Sequence, residues 1–247
     1  MSKEGEHAYL ANIGELGRQH SLYKPFSDPL CGINLMSIGA IMALLPPRPA
    51  AVLDLGCGGG WTSVFLARHG YDVVGQDIAQ DMIDLAEENR QLHAPTQQLR
   101  FICNDFEDMV FENQFDAAIF FDSLHHSDDE ALAIRAVYRA LKPGGILITH
   151  EPGNGHSTNP QSIEAMRLYG VNERDMPPEL IMQRGREAGF TDMRILPMPH
   201  DLFDIFYKKR TFPNRMISKR RWLIIRRLLK LMFDPDPGAS AIVVMTK

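Results

Sequence analysis

The chain has 247 residues, 45% of them hydrophobic, which is enough for one sizeable α/β domain with decorations. Three scattered cysteines (Cys31, Cys57, Cys103) exclude a disulfide framework or a Cys-rich zinc site and suit a reducing cytoplasm; the N-terminus lacks the basic start and apolar run of a secretory signal, and no apolar stretch reaches the roughly 20 residues of a membrane span. The net charge of -5 hides one cationic segment: Lys208 to Lys230 holds ten Lys and Arg and no acid, against 16 basic and 31 acidic residues elsewhere.

Residues 1–49 are mostly helical in pattern, with a second helix over about Gly32 to Leu45 that Pro46-Pro47-Arg48-Pro49 stops. Tyr9, Arg18, His20 and Tyr23 lie here, and such side chains on an amphipathic helix most often pack. Val52-Leu53-Asp54-Leu55 then reads as a short buried strand. Gly56-Cys57-Gly58-Gly59-Gly60 follows as a tight bend, and Trp61 to Arg68 as a helix. A strand, a glycine bend and a helix N-terminus together make a nucleotide-type site, because free N–H groups and the helix dipole face the ligand. A dinucleotide turn requires Gly at the sixth position from Gly56, where this chain has Trp61.

The acid Asp54 followed by Gly56-x-Gly58-x-Gly60 resembles the first motif of the class I S-adenosylmethionine-dependent methyltransferases. The resemblance implies a doubly wound, mostly parallel seven-stranded sheet of Rossmann-like methyltransferase type with an antiparallel last strand. It also implies S-adenosyl-L-methionine as cofactor, S-adenosyl-L-homocysteine as product, and residues 1–49 as a helical lid over a catalytic domain spanning 50–247. The rival readings are a binding protein that keeps the cofactor without transferring methyl groups, and a dinucleotide oxidoreductase.

Further along, Tyr71 to Asp77 reads as a second buried strand. Asp77, 21 residues beyond Gly56, is placed at its end to accept from both ribose hydroxyls, and Ile78 and Met82 supply apolar contact to the adenine. A helix runs from about Asp81 to Gln91 and a third strand from Gln98 to Cys103. At the end of that strand, Asn104, Asp105 and Phe106 match the family's adenine-binding turn, with Asp105 accepting from the amino group and Phe106 flanking the ring. Phe115 to Phe121 is the fourth strand, and Phe121 is counted with the cofactor-lining residues. The loop Asp122-Ser123-Leu124-His125-His126 faces the reacting centre at the sheet's reversal.

The next helix is expected to stop at Lys142-Pro143-Gly144-Gly145, ahead of a fifth strand, Ile146 to Thr149; Leu-Lys-Pro-Gly-Gly at this place is the second match to the methyltransferases. His150-Glu151-Pro152-Gly153-Asn154-Gly155-His156 opens a shaped loop expected to continue to Pro177 and to line the acceptor pocket. A helix over Pro178–Ala188 and a sixth strand over Thr191 to Leu196 follow. A basic helical insertion (198–238) precedes the last strand, Ala241 to Thr246.

Methyl transfer to a hydroxyl or a protonated amine needs a base, and histidine titrates in the right range. The candidates are His126 and His125, then His150, Glu151 and His156. No metal is expected: Asp122, Glu151 and Asn154 only approximate a magnesium set, and the histidines suit zinc or iron instead. The acceptor is expected to be a small molecule or of carbohydrate type. The basic helix within 208–230 is read as core packing, as a contact with an anionic membrane surface at the inner membrane face, or as a grip on a phosphorylated substrate. Nucleic acid is disfavoured because few aromatics interleave the charges.

Overall fold

The computed structural model describes residues 3–207, 219–233 and 241–247. Its centre is β1 (Ala51–Leu55), flanked by β2 (Asp72–Asp77), β3 (Leu99–Cys103), β4 (Phe115–Phe121), β5 (Leu141–Glu151), β6 (Met193–Leu196) and β7 (Ala241–Thr246). These form one seven-stranded sheet in the order β3-β2-β1-β4-β5-β7-β6. β7 runs antiparallel to both its neighbours, and the remaining pairs are parallel. The central strands read as continuous apolar runs because both their faces are covered, and residues of β1 alternate between two cores. Leu53 and Leu55 pack with Phe120 and Leu147 on one face, and Val52 packs with Ile119 and Ile148 on the other.

Helices fill the crossovers: α1 (Glu4–His7), α2 (Tyr9–Leu22), α3 (Cys31–Leu44), α4 (Trp61–Arg68), α5 (Gln80–His93), α6 (Glu130–Ala140), α7 (Pro160–Tyr169), α8 (Pro178–Ala188), α9 (Pro199–Phe206) and α10 (Lys219–Phe233). A kink at Gly14 divides α2. The helix packs on α5 and α7, where Leu10 and Leu22 meet Met82 and Leu85.

Two local readings change. α6 ends at Ala140, and Leu141 already pairs with Phe115, so Lys142-Pro143-Gly144-Gly145 forms an irregular entry into β5 where a helix stop was expected. Lys142 reaches across that bulge to Asp116 at 2.8 Å. The loop expected between His150 and Pro177 contains α7, which Asn159 caps by accepting from the Gln161 N–H, which Pro160 starts, and which Gly170 ends in the left-handed conformation. Within the insertion, α9 lies against α3 and α10 against α9. The cationic residues between Lys208 and Ser218 lie outside the described residues. No helix among those described is long and apolar enough to cross a membrane.

Candidate active site

Strand order reverses between β1 and β4, which opens a crevice beyond their C-terminal ends. On one side lies the glycine bend. Gly56 takes φ +68°, and a Cβ there would stand 2.4 Å from the Ser123 Cβ, so only glycine fits. A Cβ on Gly58 would meet nothing within 4 Å, so the bend opens onto free space beside Asp77. The Asp77 carboxylate accepts from the N–H groups of Gly58 (2.9 Å) and Ala79 (3.0 Å), which locks the end of β2 to the bend. Burial pushes its pKa up while those two amides pull it down.

Asp54 lies at the end of β1, ahead of the bend. Its carboxylate, 1% exposed, accepts from the hydroxyls of Thr62 (2.5 Å) and Ser63 (2.6 Å), so it fastens the first turn of α4 to β1. Met82 is buried beneath α2, and Ile78 is half-buried. The Asn104 N–H donates to the Asp77 carbonyl at 2.9 Å. Phe106 stands edge-on to Phe120 and close to Gly56. Asp105 is ion-paired with Lys3, whose ammonium also reaches Glu107 at 2.6 Å. Phe121 is enclosed by rings, edge-on to Trp61 at 5.4 Å and stacked on His150 at 4.5 Å.

Across the crevice, Glu151 is fully buried at the end of β5. One carboxylate oxygen accepts from the N–H groups of Ser123 (3.0 Å) and Leu124 (2.8 Å), the other meets His125 Nδ1 at 2.7 Å, and together they pin the 3-10 turn Leu124–His126. The other His125 nitrogen, Nε2, lies 3.7 Å from Glu173, and the same Glu173 oxygen lies 2.5 Å from His156 Nε2. Burial raises the Glu173 carboxyl, but the His156 hydrogen bond and the neighbouring histidines outweigh it and hold the group ionised.

The remaining histidines are committed elsewhere. His150 lies between Asp122 (3.0 Å) and the Ser37 hydroxyl (3.1 Å), leaving neither ring nitrogen free. His126 Nδ1 meets the Asn172 carbonyl at 2.6 Å and Glu6 at 3.3 Å. Burial would lower its pKa, yet Glu6, Glu173 and that carbonyl raise it to about 9. A histidine protonated at neutral pH has no lone pair for an acceptor's proton. Glu173 and Glu6 escape sequence reasoning altogether, since neither stands in a motif and each is brought in by a distant segment.

The sheet order, the antiparallel β7 and the glycine bend define a Rossmann-like methyltransferase domain. A family model described as "Methyltransferase domain" matches residues 53–149. The chain is 35% identical over 214 residues to the putative methyltransferase YqeM of Bacillus subtilis, covering 79% of this chain and 82% of that one. It is 36% identical over 123 residues to the ubiquinone biosynthesis O-methyltransferase of Xanthomonas axonopodis pv. citri, a match covering 48% of this chain; it spans about half (50%) of that relative's length. The fold superposes with TM-score 0.66 and 20% identity on phosphoethanolamine N-methyltransferase 2 of Haemonchus contortus in complex with S-adenosyl-L-methionine, over 99% of this chain and 58% of that one. The chain belongs to the class I S-adenosylmethionine-dependent methyltransferases.

Proposed function

We propose that this chain transfers a methyl group from S-adenosylmethionine to a small-molecule acceptor, of hydroxyl or carbohydrate type, seated at the ends of β4 and β5. The observation that carries the reading is the pairing of two half-sites across one crevice: the open bend beside Asp77, and the His125–Glu151 dyad facing His156 and Glu173. The sulfonium supplies an already activated methyl group. The chain's task is to hold the acceptor atom in line with it, a positioning effect that accounts for roughly 7–11 kcal/mol of barrier lowering. Asp77 and Asp105 hold the nucleoside, and the side chains at the ends of β4 and β5 receive the acceptor. Residues 3–22 act as a lid, tied down by Lys3 on Asp105 and by Glu6 on the Asn172 N–H.

Calorimetry with S-adenosylhomocysteine and with NAD tests the cofactor assignment, with micromolar binding of the former and none of the latter expected. Transfer of labelled methyl groups to fractions of bacterial extract tests the activity. Cofactor binding with persistently unlabelled acceptors would replace this reading with that of a binding protein.

The described part of the basic helix favours the membrane reading over internal packing, because α10 leaves Trp222, Leu223 and Leu229 about half exposed beside an exposed Arg226. Co-sedimentation with anionic but not zwitterionic vesicles is the expected result. Equal partitioning into both would end that reading.

A further inference from the structure

We propose that His125, His156 and Glu173 form a binding site for a divalent transition-metal ion of the zinc class, with Glu151 as the carboxylate that orients it from behind. Sequence reasoning, which weighs Asp122, Glu151 and Asn154 as an imperfect magnesium set, expects no metal here and does not include Glu173. The structure brings one ligand atom from each of the three residues within 4.8 Å of the others.

The spacing suits an ion. Zn–N and Zn–O bonds of about 2.0–2.2 Å in a tetrahedron place neighbouring donors about 3.3 Å apart. His125 Nε2 and the Glu173 oxygen are already 3.7 Å apart. The 2.5 Å contact between His156 Nε2 and Glu173 is held by a proton, and exchanging that proton for a cation widens the pair by less than 1 Å on that scale.

The support behind the ligands is also of the kind metal sites carry. His125 gives Nδ1 to Glu151 and thereby presents Nε2, the carboxylate–histidine arrangement that fixes a ligating ring. Glu151 cannot swing away, since the Ser123 and Leu124 amides hold its other oxygen. The loop bearing His156 is pinned by Asp175, which accepts from the N–H groups of Gly155 (3.0 Å) and Ser157 (2.8 Å). Two imidazoles and one carboxylate select zinc, iron or cobalt over magnesium, and three protein ligands leave a coordination position open, as catalytic zinc sites do. The position of the cluster at the β4–β5 edge makes that open position the seat of an oxygen-bearing acceptor, a consequence that rests on the methyl-transfer reading; metal binding itself does not.

The test uses the full chain, free of any affinity tag and stripped with chelator, titrated with Co(II) and then Zn(II). Expected are one equivalent of Co(II) with the visible absorption of a low-symmetry, tetrahedral-type site, its displacement by zinc, no displacement by magnesium, and a raised melting temperature with zinc. Glu173→Gln and His156→Ala should each weaken zinc binding by at least about 100-fold, and Glu151→Gln by about 10- to 100-fold, the range for orienting carboxylates. His200→Ala, an exposed histidine outside the cluster, should leave it unchanged. No visible band and no melting shift at one equivalent, or undiminished binding in both Glu173→Gln and His156→Ala, would overturn the proposal. Because neither readout needs cofactor or acceptor, such a failure is separable from failure of S-adenosylhomocysteine to bind.

Discussion

The two sides of the crevice are built in opposite ways. The cofactor side is made of backbone: five consecutive residues turn on positive-φ glycines, and one carboxylate at the next strand's end ties the bend to that strand through the N–H groups of Gly58 and Ala79. The acceptor side is made of side chains from four separate places, with Glu6 in α1, His125 after β4, Glu151 ending β5, and His156 with Glu173 flanking α7. The first side has no room for a side chain at Gly56 but asks little of tertiary assembly. The second depends on every segment arriving together, and so it is where one fold can acquire different acceptors.

The largest effect should come from Gly56→Val, which sharpens the claim that the cofactor side is a backbone device. A β-branched residue at φ +68° that also meets Ser123 should cost about 2–5 kcal/mol in chemical denaturation and abolish calorimetric binding of S-adenosylhomocysteine. Retained binding would break the comparison. Next is Glu151→Gln, which leaves buried amides of the acceptor side facing an amide group. A loss of about 2 kcal/mol is expected, with S-adenosylhomocysteine affinity within about threefold of the parent. A large fall in that affinity would show that the two sides are not separable.

The smallest effect concerns the lid. The pKa of His126 is raised from 6.5 to about 9 by Glu6 and its neighbours, so the stabilisation it contributes is complete below about pH 6.5 and fades as pH rises through about 9. Amide exchange in residues 3–12, corrected for the intrinsic pH dependence of exchange, should show declining protection across that interval. His126→Gln should flatten the profile, and an unaltered profile would remove His126 from the lid's hold.

The contrast also explains what could be read from the chain alone. The β1 apolar run, the bend after Asp54 and the acid at Asp77 are contiguous or evenly spaced, so local pattern carries them, and the strand order follows from the family they resemble. Asp54 shows the limit: its type and place are legible, but its partners Thr62 and Ser63, and hence the tie from β1 to α4, require coordinates. α7 was missed although Asn159, Pro160 and Gly170 mark its ends, because the glycines and prolines on either side outweighed a helix of ten residues. Glu173 had no local signal. It becomes part of the cluster only when the segment after α7 folds back onto the turn at His125, where the Arg174 N–H meets the His125 carbonyl at 3.4 Å.

The two tryptophans occupy contrasting environments: Trp61, 7% exposed, heads the run of rings that continues through Phe121 to His150, whereas Trp222 is 55% exposed on α10. Aqueous iodide will therefore quench the emission of Trp222 and spare that of Trp61. An unlabelled sample thus carries two optical channels, one reporting on the crevice and the other on whatever touches the basic helix.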